Sequence, residues 1–305
     1  MTAIISKGGS IMDESRRSLL AMLPMVGVAG GMLGASAAQA QEQVEDTWEL
    51  VMRTKKLRLG AANTEPWYFK DVSGSNAPGA IESNGSVWRG VGPVLGKQLA
   101  DALGVSLEIV ETTFGTATAA LQANQFDFML MLDGTPTRAL AIDFLPIAVA
   151  WFPNVILTRD DVTATTWKEF DDPKFRVAVV LGSAQDQFVS SASPNATFSR
   201  LQGAPEALAA FQSGRVDGVC LVGPEADLAR AKLQMGKVVV PKPAYPYPAS
   251  AGFRYDANDR FKSFLTTSIA YMYYSGAVQQ AFEQFLSFRG IDPHTATSIM
   301  RESWS

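Results

Sequence analysis

Apolar and polar positions along the chain alternate between two periods. LRLGAA (Leu57–Ala62), VSLEIVET (Val105–Thr112) and FDFMLML (Phe126–Leu132) are alternating or wholly apolar runs that predict strands. Between them, VGPVLGKQLADALG (Val91–Gly104) has helical spacing and a glycine stop, and GTATAALQANQ reads as a second helix. The cycle then recurs. RVAVVLG predicts a strand, DQFVSSA opens a helix, ATFSRL is a short strand, APEALAAFQSG a helix and VDGVCLV a strand. Such alternation implies an α/β protein with parallel-rich sheets flanked by helices.

Two series of this kind predict two lobes. FLPIAVAWFPNVILTRDD (Phe144–Asp161) is extended and leaves the first series. The proline-rich VVVPKPAYPYPASAGFRYD (Val238–Asp256) leaves the second, and helical pattern follows in RFKSFLTTSIAYMYYSG and AVQQAFEQFLSFRG. The simplest geometry is a first lobe, 41–150 and 246–305, interrupted by a second, 151–245. Two crossings make a hinge, and the cleft between lobes is where small ligands usually sit.

The N-terminus reads as a targeting segment. Arg16-Arg17 lies in a twin-arginine stretch, an uncharged Ala/Gly-rich run follows, and Ala38-Gln39-Ala40 matches a signal-peptidase site. Residues 1–40 are therefore expected to be a signal peptide of twin-arginine (Tat) type, cut near Ala40 for export to the periplasm. The Sec route and a start at Met12 remain open. Removing this segment takes away three basic and two acidic residues, so the net charge moves from −4 to −5. A mildly acidic chain argues against nucleic acid as a partner. No later apolar run is long enough and charge-free enough to embed the protein in a membrane.

The candidate chemistry is sparse. Cys220 is the one cysteine and reads as a buried small hydrophobe. His294 is the one histidine, so neither a His/Cys metal site nor a Ser-His triad is expected, and no cofactor is called for. GVGPVLGK (Gly90–Lys97) fails the phosphate-loop pattern at both ends. What stands out is Arg138, in a Thr-Pro-x-Arg turn between apolar segments (TPTRALAIDF). Its planar fork of donors matches a carboxylate.

The order of motifs resembles the bacterial extracellular solute-binding proteins of family 3, the polar amino-acid receptors of ABC importers. The carriers are KLRLGAANTEPWYFKD, LGKQLADALGVSLEIVETTFGTATAALQANQFD, TPTRALAIDF, FRVAVVLGSAQ, ALAAFQSGRVDGVCLVGP and SAGFRYDANDRFKSFLTTSIAYMYYSG. The resemblance implies the two-lobed type II periplasmic binding protein fold with a two-crossing hinge. It implies that Arg138 holds a ligand carboxylate and that the turn Gly182-Ser183-Ala184-Gln185 completes that grip from the second lobe. Phe114 falls where the family stacks an aromatic on the ligand, and Trp67 and Thr64 lie on the opposite wall.

The departures concern the ligand's amine. Aligned on Asp217 and Pro224, Val222 occupies the position of the family's ammonium-pairing Asp. Either Asp133 or Glu65 pairs with an amine from another direction, or the ligand carries no free α-ammonium. The long stretch from Val72 to Trp88 is either a cover for the cleft or a surface insert. The resemblance implies a monomeric, non-enzymatic receptor that captures a small carboxylate-bearing ligand and delivers it to an ABC permease. Two other readings stay open: a ligand-sensing regulatory partner, and a dehydratase acting on carboxylated rings with Glu65 or Asp133 moving the proton.

Overall fold

The computed structural model of the protein describes residues 45–304, residue 297 apart. The predicted signal segment lies outside the described residues. In the first sheet, Lys56–Ala62 and Ser106–Thr112 run parallel, from Lys56 opposite Ser106 to Ala62 opposite Thr112. Phe128–Leu130 joins on the other side, also parallel. Ala251–Phe253 then adds antiparallel to it, and Asp143–Phe144 closes that edge.

The second sheet repeats the scheme. Thr197–Leu201, Arg176–Val180 and Gly218–Val222 are parallel. The long strand Ala150–Thr158 and then Lys237–Val239 add antiparallel. Strand alternation sorts its side chains between two helical layers. Val155, Leu157, Val219 and Leu221 pack on one face, while Ile156, Cys220, Val177 and Val179 pack on the other. Burial pushes the Cys220 thiol well above its ordinary value, which suits a core residue and not a nucleophile.

The sheets are therefore mixed, and the antiparallel strands are those at the crossings. Ala150–Thr158 leaves the first lobe and its far end pairs with Gly218–Val222. Its near end pairs with Pro246–Ala249, the segment returning to the first lobe. These two antiparallel strands carry the hinge of a two-lobed binding-protein fold.

The stretch after Asp71 is a surface insert built around a hairpin, and it lines none of the cleft cavities. Phe69–Asp71, Ile81–Ser83 and Ser86–Arg89 form a three-stranded antiparallel sheet, turning at Asn84-Gly85 with φ of +51° and +72°. Those left-handed values are the ones a tight hairpin requires. Buried Arg89 ties the excursion down: Nε donates to Asp71 at 2.6 Å, and the remaining nitrogens donate to the carbonyls of Ser75, Ala77 and Pro78. Its guanidinium lies 4.4 Å from the Phe288 ring centroid, against the helix Ala277–Phe288.

Two of the longer helices among the described residues went unread in the apolar pattern. Thr47–Thr54 is capped by Asp46, whose side chain accepts from Glu49 N. Gly223–Leu233 starts at Gly223-Pro224, where proline suits a first helical turn. Its buried positions are mostly small and its other faces are charged, so it lacks a continuous apolar stripe.

Candidate ligand-binding site

The loops at the C-terminal ends of the central strands converge between the lobes, where ligands of open α/β sheets bind. Thr135 caps the short helix Pro136–Ala139 by accepting from Arg138 N at 3.3 Å. That cap aims the buried Arg138 inward. Its Nη1 donates to Asp133 O at 2.9 Å, and its Nη2 donates to Phe114 O at 2.8 Å and to Gly182 O at 3.1 Å. Asp133 and Phe114 belong to the first lobe and Gly182 to the second. One guanidinium thus joins three loops across the cleft.

The lobes touch backbone to backbone at this point. A Cβ on Gly115 would lie 2.6 Å from Leu181 O, and one on Gly182 would lie 3.2 Å from the Gly115 Cα. Gly182 also has φ +69°, a left-handed conformation natural to glycine.

Seven of the eight expected contact residues line one cavity: Trp67, Phe114, Asp133, Arg138, Ser183, Ala184 and Gln185. Thr64 does not; it lines two neighbouring cavities of about 330 and 220 Å³ in the same cleft. The Arg138 cavity measures only about 20 Å³, roughly the room of one water, so the lobes stand closed.

The second-lobe turn is already furnished. Ser183 accepts from Asp186 N at 3.1 Å as an ordinary helix cap. Gly182 N donates to Asp186 Oδ2 at 3.1 Å, and Arg200 Nε donates to the same carboxylate at 2.9 Å. Part of the expected anion site therefore holds an internal carboxylate.

Trp67 is both wall and core. Its ring lies 5.1 Å from Phe152 and 6.4 Å from Phe282, and only 2% of the residue is exposed. Its indole Nε1 donates to Glu225 Oε1 at 2.5 Å, another bond across the cleft.

Glu225 was missed from the sequence. It lies on the helix Gly223–Leu233 that the apolar pattern did not reveal, one turn beyond Val222. It is partly accessible, and its surface gives onto both the Arg138 cavity and the 330 Å³ cavity. Burial pushes its carboxyl up to about 8; the Trp67 hydrogen bond pulls against this and the charge of Asp133 adds to it. No lysine or arginine among the described residues forms an ion pair with it. Val222, Met131 and Phe152 complete the apolar wall of the Arg138 cavity.

Glu65, a candidate for the amine, is engaged elsewhere. Arg289 grips it with two nitrogens, Nε at 2.8 Å, and Lys232 stands 3.5 Å away. It lines the 330 Å³ cavity and not the one holding Arg138. Asp133 does face Arg138's cavity, and Gln185 Nε2 approaches its Oδ2 at 3.5 Å.

The family model of the bacterial extracellular solute-binding proteins, family 3, matches residues 71–288. The chain belongs to this family. No curated protein matches the chain. Among solved structures it is similar to an ancestral amino acid-binding protein described as a precursor of cyclohexadienyl dehydratase. That match is at 25% identity and TM-score 0.66, covering 79% of this chain and 99% of that one. It is also similar to an ancestral cationic amino acid solute-binding protein, at 25% identity and TM-score 0.59, with coverage of 79% and 99%. An amino acid ABC transporter substrate-binding protein from Streptococcus pneumoniae bound to L-arginine shares the fold, at 21% identity and TM-score 0.69, covering 80% and 98%. No helix among the described residues is long and apolar enough to cross a membrane.

Proposed function

We propose that this family 3 solute-binding protein is the periplasmic receptor of an ABC importer for an amino acid or a close derivative. Ligand enters the open cleft, and Arg138 exchanges backbone carbonyls for the ligand carboxylate. Phe114 and Trp67 flank its body, and the turn Gly182–Gln185 closes over it. The closed form then docks on a membrane permease as a monomer, after export and cleavage near Ala40. The lobes are taken as 41–150 with 246–305, and 151–245.

The observation that carries this reading is the guanidinium of Arg138, buried at the lobe boundary and donating to both lobes. A group so placed couples occupancy of the cleft to closure, because its partners come from both sides. The 25%-identical amino acid-binding structures support the choice of amino acids. No covalent chemistry is required.

The test is calorimetric titration of the twenty standard amino acids into wild type and Arg138→Ala. Binding in the wild type that is lost in the variant is the expected result. Equal affinity in both proteins would remove the carboxylate anchor and with it this reading.

A further inference from the structure

We infer that Glu225 takes the ligand's ammonium group in place of the family's absent aspartate, and that the 330 Å³ cavity beside it houses a large apolar side chain. This rests on the reading of the cleft as an amino-acid site and narrows it. The ligand class is an α-amino acid with a bulky aliphatic or aromatic side chain.

The first argument is placement. Glu225 is a wall common to the Arg138 cavity and the larger one. An α-amino acid carries its ammonium one carbon from its carboxylate. With the carboxylate on Arg138, the ammonium falls among the polar groups of that same small cavity. These include Asp133 and Glu225, while Val222, where an aspartate was expected, is apolar. Once the lobes part enough to admit the ligand's backbone, its side chain is led past Glu225 toward the larger cavity.

The second argument is the character of the larger cavity. Phe69 of the first lobe faces Leu208, Leu221, Leu228 and Leu233 of the second across it. Its charged residues other than Glu225 are Glu65 and Lys232, which pair with each other and, for Glu65, with Arg289. The cavity therefore offers a basic or acidic side chain no uncommitted counter-charge, whereas a hydrocarbon or ring loses water at no such cost. Its volume falls within the range of ordinary small-ligand sites.

The third argument is that Glu225 is otherwise unexplained. A partly buried carboxyl whose one hydrogen bond among the described residues comes from an indole N–H gains from a cation placed beside it. Burial pushes its carboxyl up to about 8, and an ammonium beside it would favour the charged form.

The test is titration of leucine, phenylalanine, arginine, glutamate and 2-hydroxy-4-methylpentanoate, the amine-free analogue of leucine, into the full-length protein. Wild type, Glu225→Gln and Arg138→Ala are compared. Glutamine keeps an acceptor for Trp67, and melting of the empty variant verifies its fold. The expected result is that leucine or phenylalanine binds most tightly. Glu225→Gln should then weaken that ligand at least tenfold while changing the amine-free analogue less than twofold. Undiminished leucine and phenylalanine binding in Glu225→Gln overturns the ammonium assignment. Preference for arginine or glutamate overturns the apolar-chamber assignment. In either case loss of binding in Arg138→Ala leaves the receptor reading standing, whereas silence of every probe overturns both.

Discussion

Arg138 Nη2 reaches Gly182 O at 3.1 Å from the opposite lobe, so the residue expected to seize a ligand also ties the two lobes together. Arg138→Ala should therefore do two things. It should remove carboxylate binding, since each charge-assisted hydrogen bond is worth about 1.5–3 kcal/mol. It should also lower the melting temperature of the empty protein, because the carbonyls of Asp133, Phe114 and Gly182 lose a buried donor. Calorimetry and thermal melting read the two effects separately. An empty variant that melts like wild type would contradict the interlobe tie.

Gly115 tests closure without touching the anchor. A methyl group there would lie 2.6 Å from Leu181 O, on the facing lobe. Gly115→Ala should hold the lobes apart and weaken binding, chiefly through faster dissociation. Small-angle scattering of the variant with ligand should keep the open radius of gyration; compaction equal to wild type would show that the loops give way.

Glu225 predicts a pH dependence with a definite sign. Its carboxyl lies at about 8 in the closed protein, against an ordinary 4.5, so the closed state binds the proton more tightly. Closed-state stability is then full below about 4.5 and falls as pH rises through 8. The neighbours that share this site are Asp133, Trp67 and Cys220, with Lys232 and Glu65 on the larger cavity. The melting temperature of the empty wild type should drop between pH 5 and 9, and that of Glu225→Gln should drop distinctly less. Parallel curves would mean that another group titrates.

Val222→Asp restores the family's acidic residue, yet alone it should not help. It would add a third carboxyl to a cavity already lined by Asp133 and Glu225. In the Glu225→Gln background the same change should recover ammonium binding. Affinity for leucine measured across the four proteins of this cycle should be non-additive, with Val222→Asp helping only in the Glu225→Gln background. Improvement by Val222→Asp alone would show that Glu225 does not serve the amine.

Arg89 and Asp71 form a buried ion pair at 2.6 Å under the hairpin. Burial alone would raise the Asp71 carboxyl, but hydrogen bonds from Ser73 and Arg89 outweigh it and hold it at about 2. Its contribution is present above about 4 and is lost as pH falls toward 2. Arg89→Ala should cost about 3–5 kcal/mol of stability. Residues 72–88 line none of the three cleft cavities, so ligand affinity should stay put.

The alternating strands, the major helices and the two extended joints were legible because each carries its own local period. Arg138, Phe114, Trp67 and the Ser183 turn were expected from the family resemblance of their motifs, and the structure brings them to one cavity. Glu225 was not, since its helix buries small residues and shows no apolar stripe. Glu65 was mistaken for an available carboxylate because its arginine partner lies 224 residues away in the chain. The hairpin had a readable sign in Asn84-Gly85, between Ile81–Ser83 and Ser86–Arg89, but the surrounding glycines and serines masked it.

The crossing strands have a mechanical consequence. Where they pair, Pro153 stands directly opposite Pro246, and Trp151 stands opposite Pro248. Trp151 N donates away from this pairing, to Ile299 O, so the prolines occupy the non-hydrogen-bonded positions of the ladder, where they cost no rung but fix φ as the chain passes between lobes. Three residues with φ held by their rings stiffen the crossing locally. Any bending of the crossing must then be taken up by the residues that flank these three imino acids, and one of them, Pro153, adjoins Phe152 of the Arg138 cavity wall.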